Sequence, residues 1–267
     1  MPEGYTLNKG NYTGKIFHSA DLEGCITTIT HYPVDEDEGG WHCHENPHID
    51  FVFQGGDVER RKNIAYQRKT GDIDYYEAGE FHETVLRNDY SKSLILELDD
   101  KFLNKYDLDS IDLATSVKNN VDAKLLSIRM VYELLNYDCC SRASLLSMSL
   151  SLVSHTDRCD YVSTPRWVQI VSDLLNDRWN EQITLDELSM IADVHPVTIS
   201  KHFRKYFSCT LGNYMRKLKI ANGITLIKDT NVTLTDIALK CGFSDQSHFT
   251  RNFKQFTGVL PKDFRKF

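Results

Sequence analysis

The sequence predicts a two-domain α+β protein, with an N-terminal antiparallel β-barrel and its following helices, then a C-terminal all-α domain. Three observations lead to this fold class. The chain has 267 residues, a comfortable length for two domains. Short β-rich runs fill residues 15–100. Helical periodicity begins near residue 110 and dominates the chain after Pro165.

The predicted strands are short runs of β-branched, aromatic and aliphatic residues. They are Ile26–Thr30, His48–Phe53, Ile73–Tyr76 and Leu94–Leu98. Turn signals such as Gly55-Gly56 and Thr70-Gly71 separate them. Many short strands at a spacing of about 8–12 residues are typical of an antiparallel sandwich or barrel.

Two helices are predicted after the strands, over residues 121–136 and over Arg142–Val153. In the first, an apolar stripe at helical spacing contains Leu125, Ile128, Val131 and Leu135. The apolar faces could pack on each other, on the barrel or on a second copy of the chain, and we favour a dimer interface. Residues 155–165 are polar, lack periodicity and end in proline, which indicates an interdomain linker.

Composition and charge limit the class of protein to which the chain can belong. The chain is 41% apolar and 26% charged, with no apolar run long enough for a membrane span and no signal-peptide pattern, so we expect a cytoplasmic protein without membrane contact. Its seven cysteines contain no C-x-x-C pair, which argues against a disulfide framework or a cysteine zinc site. Residues 1–164 carry a net charge of −12 and residues 165–267 a net charge of +5, a division that suits a separate nucleic-acid-binding domain.

Capping signals divide the C-terminal third into helices. Thr184 to Glu187 reads as a capping box that opens the helix Leu185–Ala192. After a short turn, Pro196 stands in the first turn of a second helix, where proline is tolerated. Its inward residues are predicted to be Ile199, Phe203 and Phe207.

The same arrangement returns about 49 residues later. Thr233 caps a short helix, Gly242 suits the left-handed turn, and Ser244 is expected to cap the next helix. There the inward residues are predicted to be Phe249, Phe253 and Phe256. Each pair fits a helix-turn-helix unit, whose second helix enters the major groove of DNA. The helix predicted between the units, Leu211 to about Lys228, spans roughly 27 Å, against ~34 Å between successive major-groove openings.

Residues 165–267 resemble the AraC family of bacterial transcription regulators. The most specific stretch is DIALKCGFSDQSHFTRNFKQFTGVLPKDFRK, residues 236–266. The resemblance implies base-facing positions at Val197, Ser200 and Lys201 in the first unit, and at Gln246, Ser247, Thr250 and Arg251 in the second. Lys205, Lys254 and Arg265 are expected to contact phosphates. Two departures are Ser208-Cys209-Thr210, where the family usually has a glycine, and Gly223 inside the connecting helix, which costs about 1 kcal/mol relative to alanine.

A histidine-rich segment marks the N-terminal domain. On a strand, His42 and His44 project from the same face. With His82, these segments resemble the two motifs of the cupin fold, although His48 stands where cupins usually have a glutamate and Glu77 where they have a proline. The resemblance implies a pocket for a small ligand or a divalent transition metal. Its lining or ligands would be His42, His44, His48 and His82, with Glu45 as a possible substitute.

These observations predict a transcription regulator and not an enzyme. Its domains would be a cupin-like sensor barrel (1–110), a helical dimerisation and linker region (111–157) and a DNA-binding domain with two helix-turn-helix units (158–267). The expected partners are double-stranded promoter DNA, a small-molecule or metal effector, a second copy of the chain and, for an activator, RNA polymerase. The resemblance favours an activator, because members of the family usually activate transcription. The alternatives are a metal-dependent cupin enzyme with secondary DNA binding, for which only Glu45, Glu77 and Glu83 offer acid–base chemistry, and an adaptor with a degenerate DNA surface.

Overall fold

The structure is a computed structural model that describes residues 4–33, 40–62, 64–86, 90–108, 110–153, 164–228 and 231–267. The chain forms two compact units, one of residues 1–156 with Phe267 and one of residues 157–266. The boundaries of the three predicted domains stay predictions, and residues 155–163 of the predicted linker lie outside the described residues. In the part of the chain that the structure describes, no helix is long and apolar enough to cross a membrane.

In the residues that the structure describes, the N-terminal unit is built on ten strands. They are β1 (Tyr5–Leu7), β2 (Lys15–Asp21), β3 (Cys25–Tyr32), β4 (His42–His44), β5 (His48–Gln54), β6 (Gly56–Arg61), β7 (Ile64–Lys69), β8 (Ile73–Tyr76), β9 (His82–Leu86) and β10 (Ser91–Leu98). The first sheet has the order β1-β4-β9-β6-β7, and the second has the order β2-β3-β10-β5-β8.

The predicted antiparallel barrel is therefore only partly right. Among the described residues no ladder joins the two sheets into a closed barrel. One pairing, β1 with β4, is parallel, with Tyr5 opposite His42. These two strands are far apart in the sequence and share no hairpin turn, so local turn signals could not reveal how they pair.

Buried polar side chains of β5 lie between the two sheets, and buried apolar side chains of the same strand lie on the outer side of the second sheet. Along β5, alternation puts His48 and Asp50 on one face and Ile49 and Phe51 on the other, and all four are buried. Asp50 bonds across to Arg68 of the first sheet, which identifies the face between the sheets. The helix formed by Ala123–Leu135 packs against β5 from the same unit.

In the described part of this unit, four helices follow the strands: α1 (Asp100–Tyr106), α2 (Ser110–Asn119), α3 (Ala123–Leu135) and α4 (Ser141–Val153). The predicted stripe on α3 is buried at Leu125, Ile128 and Val131, but continues at Leu134 and not at Leu135. Because α3 and α4 pack on each other and on β2, β3 and β5, this stripe lies inside the unit. The expectation that it forms a dimer interface is wrong.

The C-terminal unit is helical: α5 (Arg166–Asp177), α6 (Leu185–Ala192), α7 (Pro196–Phe207), α8 (Leu211–Ile227), α9 (Leu234–Lys240), α10 (Gln246–Thr257) and α11 (Pro261–Phe264). Thr184 caps α6 by accepting from the Glu187 amide, as predicted, but the Glu187 carboxylate accepts from Arg178 instead of completing the box. Thr233 caps α9. The cap of α10 is Asp245 and not Ser244, since Asp245 accepts from the His248 amide at 2.7 Å.

Candidate functional sites

The first candidate site is a histidine cluster, consisting of His42, His44 and His82, in the N-terminal unit. His42 lies directly opposite His82 across the β4–β9 pairing, and His44 follows on the same face of β4. Ring centroids are 4.4 Å apart for His42 and His82, and 5.5 Å for His44 and His82. One ring nitrogen from each residue lies within 4.8 Å of the others, and all three side chains are buried. The cluster has the compact, three-sided form of a metal-ligand set.

Hydrogen bonds fix the tautomers of two of these rings. Nδ1 of His42 lies 2.9 Å from the Gly40 carbonyl oxygen, and Nδ1 of His82 lies 3.0 Å from the Glu80 carbonyl oxygen. A carbonyl only accepts, so Nδ1 carries the proton in both rings. Nε2 of each neutral ring then keeps its lone pair, the arrangement that metal-binding histidines usually have.

The environment keeps the cluster uncharged. Burial lowers the pKa of His42, and burial together with the neighbouring His82 and His42 lowers the pKa of His44 to about 3. Burial also lowers the pKa of His82 to about 4. Near neutral pH the three imidazoles are therefore available as electron-pair donors.

The other two predicted pocket residues are placed differently. His48 lies on the second sheet, with its ring 4.3 Å from that of His44 and stacked on Tyr76 at 4.4 Å. It borders the cluster without joining its ligand set. Glu45 is exposed, because the alternation that turns His44 inward turns Glu45 outward, and its carboxylate accepts from the Lys9 amide at 3.0 Å. It lies apart from the cluster.

The sequence reasoning missed a charged network beside the cluster, formed by Asp50, Asp57, Glu59, Arg68 and Tyr76. The Tyr76 hydroxyl donates to Glu59 Oε2 at 2.7 Å and accepts from Arg68 Nη1 at 2.5 Å. Arg68 also donates to both Asp57 oxygens and to Asp50, at 2.9–3.2 Å. All five residues are buried. The available signal was the alternation of Asp57, Glu59 and Arg61 along one face of β6.

Tyr76 connects the charged network to the histidine cluster, because its ring centroid lies 4.7 Å from that of His82. Burial alone would raise the pKa of Glu59, but the guanidinium groups of Arg68 and Arg61 outweigh burial and lower it. Arg61 bonds Glu59 at 2.5 Å and lies 3.8 Å above the Tyr76 ring. Arg61 is also opposite His82 across the β6–β9 pairing. Such a concentration of buried charge costs stability, and it therefore points to a functional interior.

The second candidate site is the outer face of α7 and α10 in the C-terminal unit. In α7, Ile199 and Phe203 are buried, whereas Phe207 is half-buried and stacks on Phe203. In α10, Phe249 and Phe253 are buried and Phe256 is half-buried. The predicted contact residues are exposed except for the half-buried Thr250; the exposed ones are Val197, Ser200, Lys201, Lys205, Gln246, Ser247, Arg251 and Lys254.

The two helices match position by position when their buried residues are aligned. Ile199 and Phe203 correspond to Phe249 and Phe253, which pairs Ser200 with Thr250 and Lys201 with Arg251. Both helices end in the left-handed conformation, at Ser208 with a φ of 56° and at Gly258 with a φ of 79°. Ser208 of the first predicted helix-turn-helix therefore takes the left-handed conformation at the place where the family usually has a glycine.

One predicted phosphate contact has another role. Arg265 donates to the Ile227 carbonyl at 2.7 Å and to the Val232 carbonyl at 2.9 Å. It ties the end of α8 to the start of α9 through these two hydrogen bonds. The expectation that Arg265 also contacts phosphate stays a prediction.

Comparisons with known proteins agree with this reading of the C-terminal unit. A family model described as a helix-turn-helix domain matches residues 188–266. "Probable transcription factor PqrA" of Proteus vulgaris is 31% identical over 104 residues, which are 36% of this chain and 84% of that protein. The HTH-type transcriptional regulator GbdR of Pseudomonas aeruginosa is 30% identical over 102 residues, and this chain spans 28% of its length. An AraC-type regulator structure from Chromobacterium violaceum has a TM-score of 0.36 at 20% identity, covering 38% of this chain and 89% of that one.

The C-terminal unit is that of a DNA-binding transcription regulator. The chain belongs to the AraC-type family of helix-turn-helix regulators. The names of its relatives bear out the prediction of a regulator and not an enzyme, although AdaA of Bacillus subtilis, 27% identical over 100 residues, is named as both a transcriptional activator and a DNA repair enzyme.

Proposed function

We propose that the chain reads promoter DNA through two helix-turn-helix units, α6–α7 and α9–α10, with α7 and α10 in successive major grooves. The observation that supports this is the shared division of both helices into a buried apolar face and an exposed polar face. Helix α8 runs between the units for 17 residues. At 1.5 Å per residue it spans about 26 Å, which together with the thickness of the flanking helices approaches the ~34 Å groove repeat.

The exposed residues divide by chemistry. Arg251 suits a bidentate contact with guanine, Gln246 suits adenine, and Val197 suits a thymine methyl group. Ser200, Lys201, Ser247 and Thr250 complete the base-facing set. Lys205 and Lys254 lie further along their helices and suit phosphate contacts, which add affinity without sequence information.

Paired variants test these roles on the DNA site that the full chain selects from a random pool. Arg251→Ala should weaken binding to that site by about 1–3 kcal/mol and relax preference at one base pair. Lys254→Ala should weaken selected and random DNA alike and reduce the salt dependence by about one phosphate contact. Equal losses on both kinds of DNA for Arg251→Ala would contradict base reading.

For the N-terminal unit we propose a sensor in which His42, His44 and His82 hold a divalent transition metal whose occupancy controls promoter binding. The observation that supports it is the convergence of three buried, neutral imidazoles, two of them with Nε2 left free. Imidazole ligands suit zinc, copper, iron and nickel. When bound, the ion would supply a Lewis-acid centre for a small ligand.

Metal content of protein purified without a histidine tag tests the sensor proposal. We expect about one transition metal per chain, lost in a His42→Ala/His82→Ala variant that still folds and binds DNA. A folded, metal-free wild type that stays metal-free after incubation with zinc or iron would contradict the metal site. The interior would then be tested as a pocket for an organic ligand.

We also propose that the regulator acts as a homodimer that contacts RNA polymerase and activates transcription. Family membership is the support for this part. A reporter carrying the selected site should rise on expression of the chain, and sedimentation should give twice the chain mass of 30.8 kDa. Repression of the reporter would contradict activation, and a monomer on DNA would contradict the homodimer.

A further inference from the structure

The loop between α3 and α4 holds two adjacent cysteines in a braced turn. The Asp138 amide donates to Ser141 Oγ at 2.8 Å, and the Ser141 amide donates back to Asp138 Oδ1 at 3.1 Å. The Cys140 amide donates to the same oxygen at 2.8 Å. This reciprocal arrangement works like a capping box for α4, so Cys139 and Cys140 are held in a fixed turn.

The two thiols face solvent, unlike the other cysteines with a described position. Cys139 and Cys140 are exposed, Cys209 is half-buried, and Cys25, Cys43 and Cys241 are buried. Burial raises the pKa of Cys25 and of Cys241 to about 12, which makes those thiols poor ligands. The Cys139–Cys140 pair is therefore the accessible dithiol of the described structure.

The distance between the two sulfur atoms decides what the pair can do. Sγ of Cys139 and Sγ of Cys140 are 3.9 Å apart. Two thiolates bound tetrahedrally to one ion at ~2.3 Å have their sulfur atoms about 3.8 Å apart. A disulfide between neighbours is strained, because adjacent Cα atoms are ~3.8 Å apart and ordinary disulfides need about 4.4–6.8 Å. The geometry favours a shared ion over a disulfide.

We propose that Cys139 and Cys140 bind a thiophilic metal ion such as Zn²⁺ or Cu(I), with the Asp138 carboxylate as a third ligand. A carboxylate oxygen of Asp138 lies within 4.8 Å of both sulfur atoms. On binding, each thiol releases its proton to solvent, and the two thiolates and the carboxylate replace waters on the ion. Thiolates select softer ions than the all-imidazole set of the histidine cluster, so the two sites would differ in preference. The sequence expectation of no cysteine metal site rested on C-x-x-C spacing, which an adjacent pair does not need.

The Asp138 carboxylate is both the oxygen ligand beside the two thiols and the cap of α4, and a substitution separates these two roles. Asp138→Asn keeps a side-chain oxygen for the helix cap but removes the anionic ligand.

Cobalt(II) added to the full, tag-free chain, kept reduced with a phosphine, tests the site. Cobalt–thiolate bonds give a near-ultraviolet charge-transfer absorption that cobalt–imidazole bonds do not, so the two sites are read separately. We expect this band to saturate within two equivalents in the wild type, whose histidine cluster also takes cobalt, and at one equivalent in His42→Ala/His82→Ala. It should persist in the control Cys209→Ser and require more cobalt in Asp138→Asn. Cys139→Ser/Cys140→Ser, with an unchanged circular dichroism spectrum, should lose it. A wild type without the band, or a double serine variant that keeps it, would overturn the proposal.

Discussion

Replacing Arg68 with alanine tests how much stability the N-terminal unit loses when the carboxylates of the charged network lose their shared cation. Arg68 bonds Asp50 and Asp57 at 2.9–3.2 Å and lies 3.3 Å from Glu59. Without Arg68, Arg61 would be the arginine beside these buried carboxylates, and of the three it contacts only Glu59. Breaking one buried ion pair costs about 3–5 kcal/mol. That is a large part of the 5–15 kcal/mol that typically stabilises a domain.

Urea unfolding monitored by circular dichroism, with DNA binding as a separate readout of the C-terminal unit, measures this cost. We expect Arg68→Ala to lower the free energy of unfolding of the N-terminal unit by at least about 3 kcal/mol. Burial already raises the pKa of Asp50, and loss of the guanidinium group would raise it further. A proton taken up by Asp50 in the folded variant should therefore shrink the deficit as pH falls from neutrality towards 5.

The matched control is Arg60→Ala. Arg60 pairs with Glu83 at 2.6 Å, but its side chain is 41% exposed. Surface pairs contribute at most about 1 kcal/mol, so this variant should be close to wild type. If Arg68→Ala also lost less than about 1 kcal/mol, the buried carboxylates would not depend on Arg68 to balance their charge, which would refute the prediction.

Two further predictions concern the backbone conformation of Ser208 and the acid sensitivity of the N-terminal unit. Ser208→Gly should stabilise the C-terminal unit by up to about 1 kcal/mol, since the left-handed conformation costs an L-residue about 1–2 kcal/mol. The larger conformational entropy of glycine in the unfolded chain offsets part of this gain. Gly258→Ser should destabilise the unit, and thermal melting of both variants checks the two signs. The metal-free N-terminal unit should lose stability as pH falls from about 6.5 towards 4, because His44 and His82 bind protons in the unfolded chain but stay neutral in the folded state. The slope of the unfolding free energy should approach about 1.4 kcal/mol per pH unit for each histidine. Urea midpoints at pH 7, 6 and 5 measure this, and a His44→Gln/His82→Gln variant with an unchanged slope would contradict it.

The histidine cluster could be predicted because two simple rules sufficed. Alternation along a strand put His42 and His44 on one face, and the cupin-like spacing added His82. Glu45 fails the same alternation rule. The charged network was missed because the segments that carry Asp57, Glu59 and Arg68 look like solvated polar strands. Only the pairing of the two sheets shows that these residues face each other inside the unit.

The C-terminal unit was the more predictable because its signals are local. Caps, turns and the 3.6-residue period gave the helices within a few residues, and Gly242 has the expected left-handed φ of 72°. Tertiary contacts explain the exceptions. A Cβ atom on Gly223 would lie 3.0 Å from Cys241 Sγ, so this glycine allows α8 to approach the turn after α9, a contact that helix propensity does not register.

The proposed sensor function requires that occupancy of the histidine cluster controls DNA binding. It is tested by the affinity of the full chain for its selected DNA site, with and without bound metal, in wild type and in His42→Ala/His82→Ala. We expect the wild-type affinity to change by about 5–150-fold on metal binding, as is typical of coupled sites, and the variant affinity to stay constant. Equal affinities for metal-bound and metal-free wild type would contradict the claim.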